Sequence, residues 1–333
     1  MTQQATTSKE LFFPNSIDST MLTCFDSCPQ KFFIEFILRK VPFGRSIHLH
    51  AGGCFARALE VIRKSYHFHK MPFEDALLEG YKAFTISWGT LDIPLDSSYK
   101  DYPNVWGAIN AYFQQYPIDR DPFQPIINPD GTPAVEFKFA IPMDIRHPQT
   151  GDPILFSGRT DQLSHNQNVV YVQDEKTTNG IGPKWVKQWQ MRGQFYGYTR
   201  AAREYGYPVA GALVRGIAIQ QTQYGFAECP VLIDDWQLDR WWLMANRKVE
   251  RMVKMWEVAN SEYMLGDMEA MHQKFDQSFG NACSEMGGCQ FQPLCLSQQP
   301  WQLYYGYEQR IWDPLAADPT EKSENRLGEM ETI

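Results

Sequence analysis

Val169-Val170-Tyr171-Val172-Gln173-Asp174-Glu175-Lys176-Thr177-Thr178 is the run that decides the reading of this 333-residue chain. It opens on four β-branched or aromatic residues, which suit a pleated, half-buried surface. It then turns charged. Successive strand side chains point to opposite faces, so Asp174 and Lys176 share one face. Upstream, Asp161 closes the run Gly158-Arg159-Thr160-Asp161. A short strand over residues 154–157 leads to it, and a turn over residues 164–168 would bring the two strands side by side. Two carboxylates then converge near one ammonium. Hard divalent cations such as Mg²⁺ or Mn²⁺ take few protein carboxylates and fill their shell with water and phosphate oxygens. Such an ion lowers the pKa of a bound water and offsets charge on a phosphate. Lys176 would position that water or neutralise the developing charge. A surface hairpin with a salt bridge gives the same D-x-K spacing. What favours a site is the buried character of residues 169–172, which sets the charges at a sheet edge or cleft.

Working outward, the order of elements is α/β. Residues 19–38 read as two short helices joined at Cys28-Pro29, proline suiting a helix start. Residues 52–66 read as a helix opened by Gly52-Gly53, with Phe55, Leu59 and Ile62 on one face. Residues 72–115 are helical in pieces. Residues 134–141 alternate as a strand, and residues 144–152 form a hairpin loop. Residues 185–204 read as one helix, 210–221 as a strand and 234–261 as a long amphipathic helix. This predicts a small mixed sheet flanked by helices, with helical additions at both ends. On the 185–204 helix, Gln190, Gln194 and Tyr198 recur at four-residue spacing, joined by Lys187, as a polar stripe. Such a stripe beside carboxylates could hold a nucleic-acid backbone, or be a solvated face.

Composition narrows the class. No window holds eighteen consecutive apolar residues, so no membrane partner is expected. The polar start lacks a signal-peptide core, and a cytoplasmic location follows. The net charge of −8 argues against a protein that coats nucleic acid, although local cationic surface is what binding needs. Part of the acidity is in the tail, where Asp318, Glu321, Glu324, Glu329 and Glu331 face only Lys322 and Arg326. That tail predicts disorder.

Seven cysteines in a chain of this length suggest metal ligation rather than a disulfide scaffold. Cys283, Cys289 and Cys295 follow C-x5-C-x5-C, and Cys28 lies almost a chain length away. Four thiolates suit a [4Fe–4S] cluster or a tetrahedral Zn²⁺. The absence of C-x2-C knuckles disfavours a compact zinc module. Gly287, Gly288 and Pro293 supply turns for a loop that wraps a cluster. Cys24, Cys54 and Cys229 read as ordinary buried thiols, with Cys24 a substitute ligand by its spacing from Cys28.

These residues together resemble a known group. Cys28-Pro29-Gln30-Lys31-Phe32-Phe33 is similar to the C-P-x-K/R-aromatic-aromatic opening of RecB-like nucleases in the PD-(D/E)XK superfamily. Gly158 to Asp161 resembles their G-x-x-D motif, Asp174 to Thr178 their D-x-K-T motif, and Gln194 with Tyr198 their Q-x-x-x-Y helix. The cysteine set resembles the iron–sulfur version found in CRISPR adaptation exonucleases and AddB-type recombination nucleases. The match spans roughly residues 16 to 298. It implies a restriction-endonuclease-like core closed by a metal cluster. It divides the chain into a flexible start (1–15), a helical region (16–130), a nuclease core (131–262), a cysteine-containing segment (263–312) and a disordered acidic tail (313–333). It implies that Asp161 and Asp174 bind Mg²⁺ or Mn²⁺, that Lys176 is catalytic, and that Gln194, Tyr198 and Arg159 contact DNA or brace the site. Glu136 and Glu60 are further candidate ligands, each also readable as an ordinary charged surface residue. Residues 52–60 fit the frame G-x-x-x-H-x-x-L-E, but Ala56 stands where the family has histidine, and His48 and His50 precede the glycines. An alanine version suggests a phage-encoded member working in a host cytoplasm.

The expected function is a metal-dependent deoxyribonuclease, an exonuclease on single-stranded or duplex ends, in DNA processing, recombination or repair. Its partners would be DNA and recombination or processing proteins. The alternative is a catalytically degenerate nuclease fold that binds or scaffolds DNA.

Overall fold

The computed structural model describes residues 10–44, 46–89, 99–284 and 288–316. Of the start expected to be flexible (1–15) and the tail expected to be disordered (313–333), residues 1–9 and 317–333 lie outside the described residues, whereas Leu11 and Phe13 are buried. In chain order the elements are β1 (Ser16–Ile17), α1 (Ser19–Ser27), α2 (Pro29–Phe32) with a π-helical turn (Phe33–Ile37), β2 (Lys40–Pro42), α3 (Ile47–His67), α4 (Phe73–Trp88) and α5 (Tyr102–Gln115). Then come β3 (Gln124–Pro125), β4 (Val135–Arg146), β5 (Pro153–Asn166), β6 (Val169–Thr178), α6 (Pro183–Lys187), α7 (Gly193–Glu204), β7 (Val209–Ile219) and β8 (Tyr224–Leu232). The chain closes with α8 (Asp235–Leu265), α9 (Met268–His272), α10 (Gln292–Cys295) and β9 (Tyr307–Gln309). The mixed α/β class is as expected. Among the described residues no helix is long and apolar enough to cross a membrane.

The chain divides into two compact units, each discontinuous in sequence. One comprises Met1–Phe43, Ala140–Ser157 and Arg240–Pro314; the other comprises Gly44–Phe139, Gly158–Asp239 and Leu315–Ile333. In the second unit, β6 pairs antiparallel with β5 and parallel with β7, and β7 pairs antiparallel with β8. A parallel pair needs a crossover, and α6 and α7 supply it between β6 and β7. On the opposite face Ala51, Phe55, Ala58, Leu59 and Ile62 of α3 bury with Phe84 of α4, Ile109 and Tyr112 of α5, and Ile217 and Ile219 of β7. Close approach of α3 and α4 requires Gly80, where a Cβ would stand 2.3 Å from Ile62 Cγ1.

In the first unit, β1 pairs in parallel with Leu155 and Phe156, and β2 pairs with β9. The Asp18 carboxylate caps α1 through Met21 N at 2.8 Å and accepts from Trp312 Nε1 at 3.0 Å. Phe33 and Phe275 stack at 4.5 Å between ring centres, tying the π-helical turn to the segment after α9.

Three expectations need correction. The helix predicted for residues 52–66 begins at Ile47 and runs through Gly52-Gly53. Burial of Ala51, Cys54 and Phe55 outweighs the helix cost of two glycines, about 1 kcal/mol each. The single helix predicted for residues 185–204 is two, α6 and α7, parted at residues 188–192. Trp185 and Trp189 both bury and meet ring to ring at 5.2 Å, which takes precedence over a continuous helix. Gln190 therefore lies off the helix, exposed, and the stripe shrinks to Gln194 and Tyr198. The strands also outrun their predicted ends: β5 continues past Asp161 to Asn166, and only Gln167-Asn168 turn the hairpin.

Where β6 meets β7 the register slips, with Val170 opposite Val209 but Tyr171 opposite Gly211. Gly211 sits at φ +155°, and a Cβ there would lie 2.0 Å from Val231 O. Gly211→Ala should therefore cost about 1–3 kcal/mol, read as a lower urea midpoint at unchanged slope; an unchanged midpoint would contradict this packing.

Candidate active site

The site forms where β5 and β6 stop pairing. Their ladder runs from Asn166↔Val169 to Gln162↔Gln173. Beyond it, side chains take over backbone partners. Glu175 N donates to Asp161 Oδ2 at 2.7 Å, and Thr160 Oγ1 donates to Gln173 O at 3.0 Å. Asp161 is thus wedged into the opening between strands, next to Asp174, which is 2% exposed.

Asp174 Oδ2 forms an ion pair with Lys176 Nζ at 2.6 Å. The contact combines charge attraction with a hydrogen bond from the ammonium, and both favour the ionised carboxylate. Asp174 Oδ1 accepts a long hydrogen bond from Gln194 Nε2 at 3.4 Å, and the same amide donates to Tyr198 OH at 2.9 Å. Tyr198 is buried against Phe139 and Gly158, where a Cβ would stand 2.8 Å from Phe139 Cζ. The Lys176 side chain keeps 32% of its surface exposed, so one end of this pair is open to solvent.

Negative charge is concentrated here. Burial raises the Asp161 pKa well above the usual carboxylate range, and Asp174, Glu175 and Glu136 add to it. Burial raises Asp174 as well, opposed by Lys176. Burial works against the Lys176 charge, but Asp174 and Asp161 outweigh it and raise its pKa. Among the described residues no cation forms an ion pair with Asp161. Glu136 has its pKa raised to about 7 by burial and by Glu60, against the pull of Arg159, whose Nε lies 2.5 Å from Glu136 Oε2. Glu136 also holds φ at +57°, a backbone state that non-glycine residues adopt only when their surroundings enforce it.

The predicted residues are therefore unequal. Asp161, Asp174, Lys176 and Gln194 come together, with Tyr198 bracing Gln194. Glu136 is within electrostatic reach of Asp161. Arg159 is committed to Glu136. Glu60 is held by Arg57 at 2.7 Å and Lys64 at 2.6 Å, which keep its pKa low despite burial. Ala56 is half-buried on α3. Among the described residues no three His, Cys, Asp or Glu side chains form a closed ligand set. Asp161 and Asp174 nonetheless offer oxygen donors of the kind a hard cation takes, in a cluster whose charge a cation would relieve.

Sequence reasoning missed the other face of β6. There Glu175 Oε1 meets Arg63 Nη2 at 2.5 Å and accepts from Gln173 Nε2 at 2.8 Å. The Tyr112 hydroxyl accepts from Arg63 and from Arg215, both at 3.0 Å, and donates to Glu175 Oε1 at 2.9 Å. Arg215, fully buried, also reaches Asp121 and Glu228. Burial opposes ionisation of Glu175, but Arg63 prevails and brings its pKa to about 2. The available signal was Arg215 itself, a lone cation in the otherwise apolar run 209–219.

The four predicted cysteine ligands all lie within the first unit, apart from these carboxylates. Cys28 joins α1 to α2, Cys283 sits in a 3-10 turn, and Cys295 ends α10. Cys289 N donates to Cys283 O at 3.0 Å, and Gly288 at φ +102° makes the turn before it. Burial pushes the Cys295 pKa up to about 11, and Cys28, Cys289 and Cys283 all contribute. Cys28, remote in sequence, is thus an electrostatic neighbour of Cys295 together with Cys283 and Cys289. Their chemistry fits a soft-metal centre such as iron–sulfur or zinc. Burial raises the Cys24 pKa strongly, with Glu35, Cys28 and Cys289 adding to it, which opposes its use as a thiolate ligand.

No family model and no curated protein matches the chain. A solved structure titled "Crystal structure of SSO0001" aligns at 11% identity and a TM-score of 0.31, covering 77% of this chain and 86% of that one. A likeness that weak bears on neither fold nor function.

Two outcomes follow. Glu136 keeps its proton up to about 7 in the folded chain, against 4.5 when unfolded, so the folded state binds more protons in that window and loses stability as pH rises through it. In chelator, wild type should lose stability relative to Glu136→Gln between pH 4.5 and 7; parallel pH profiles would contradict it. Cys289→Ser should lower bound metal after anaerobic purification and weaken the fold, since binding energy is coupled to folding; full metal content would remove Cys289 from the site.

Proposed function

We propose that this chain is a Mg²⁺- or Mn²⁺-dependent deoxyribonuclease of the PD-(D/E)XK class, acting on DNA ends, with a structural iron–sulfur centre on Cys28, Cys283, Cys289 and Cys295. The observation that carries the reading is the juxtaposition of Asp161 with Asp174 at the point where β5 and β6 part, Asp174 ion-paired with Lys176 and Asp161 accepting the Glu175 N–H. Asp161 and Asp174 would hold the cation. When bound, a divalent ion supplies an activated water and charge neutralisation at a phosphate. Lys176, with its ammonium at the solvent-reaching end of the site, would orient the attacking water or meet a phosphate oxygen. Gln194 fixes Asp174, and Tyr198 fixes Gln194. The cysteine centre is assigned a structural role, since it would join Cys28, near the start of the chain, to the segment carrying Cys283, Cys289 and Cys295.

One observation favours the second reading, a degenerate fold that binds or scaffolds DNA. Ala56 offers no ligand, and Glu60 is occupied by Arg57 and Lys64. Cleavage separates the two. Lys176→Met should slow Mn²⁺-dependent degradation of end-labelled DNA by about 100–1000-fold, and Asp174→Asn should abolish it, with circular dichroism unchanged. Wild type that binds DNA but never cuts would establish the scaffold; Asp174→Asn that cuts normally would remove this site.

A further inference from the structure

Glu175 faces two ways. Its backbone N–H holds Asp161 at 2.7 Å on the side of the carboxylate pair. Its side chain points to the other face and is gripped by Arg63 of α3, Tyr112 of α5 and Gln173 of the same strand. The grip is buried: the Arg63 and Glu175 side chains keep 6% and 2% of their surface. A charge pair so desolvated is a weak source of net stability, because removing both ions from water costs about as much as their attraction returns. Three hydrogen-bonded elements converging on one carboxylate do, however, fix where the peptide carrying it sits.

We infer that the Arg63–Tyr112–Glu175 cluster is a positioning device for the divalent-cation site: it pins the Glu175 peptide, whose N–H aims Asp161 at the position shared with Asp174. This rests on the nuclease reading above and adds to it residues that no cation would touch. The neighbouring Arg215 carries the same hold further, donating to both Asp121 carboxylate oxygens at 2.6 and 2.7 Å and to the Tyr112 hydroxyl. The site strand is thereby tied to α3, α5 and β7 at one residue. The Asp161 carboxylate has no such hold of its own beyond the Glu175 N–H among the described contacts, so its orientation passes through that peptide.

The test is Mn²⁺ affinity, measured by titration calorimetry on chelator-treated full-length protein at neutral pH. Asp174→Asn gives the heat not due to this site. Tyr112→Phe keeps the ring and removes only the hydroxyl. Arg63→Met with Glu175→Leu removes both buried charges together, so neither is left unpaired. Both variants should remain folded by circular dichroism and bind Mn²⁺ about 10–100-fold more weakly, the usual cost of losing an outer partner of a metal ligand. A purely structural cluster would shift the urea midpoint and leave the Mn²⁺ affinity at the wild-type value; that result overturns the inference and leaves the nuclease reading standing. If Tyr112→Phe alone is folded, it decides. Wild type that takes up no more Mn²⁺ than Asp174→Asn overturns the nuclease reading, and the inference with it.

Discussion

The second unit is organised by the problem of keeping several carboxylates in one poorly solvated place. Asp161, Asp174 and Glu175 are neighbours across the end of a β ladder. Each is handled differently. Glu175 receives a guanidinium and a phenol and ionises readily. Asp174 receives Lys176, a partner with one end in solvent. Asp161 receives a peptide N–H and is left with its pKa well raised. Like charges in low dielectric repel strongly, so the arrangement is unfavourable unless protons or a cation enter it. A fold seeking only stability would place apolar residues here.

The sheet explains why these residues meet. Antiparallel pairing of β5 with β6 brings Asp161 beside Asp174, and the loss of pairing past Gln162 and Gln173 makes room for a side chain between strands. The parallel neighbour β7 sets Arg215 opposite Glu175 and Gly216 opposite Lys176. Gly216 leaves space that the Trp185 indole fills, a Cβ there standing 2.4 Å from Trp185 Cζ2. The two faces of β6 thus carry different chemistry: a solvent-reaching ammonium and carboxylates on one, a sealed ionic cluster on the other.

Much of this was legible in the sequence, for identifiable reasons. Alternation marked the strands, and strand parity put Asp174 and Lys176 on one face. Pro29 and the turn residues marked helix boundaries. The split between α6 and α7 was hidden because Trp185 and Trp189 are compatible with a helix, and only their burial shows that they end one. The start of α3 was hidden because two glycines resemble a boundary, whereas tertiary packing carries the helix through them. The Glu175 cluster was hidden for a deeper reason. Its members, Arg63, Tyr112, Gln173, Glu175 and Arg215, come from two helices and two strands widely separated in sequence, and no local spacing records their convergence. The cysteines were the opposite case, since their spacing and the turn formers between them suggest a shared metal site from the sequence alone.

The central claim is that Asp161 and Asp174 form one divalent-cation site. Anomalous diffraction from crystals soaked in Mn²⁺ tests it most directly. The account predicts a manganese peak at ligand distance from both carboxylates, with Lys176 moved off Asp174 Oδ2. Crystals that show Lys176 still paired with Asp174 and no manganese between the two aspartates would contradict it.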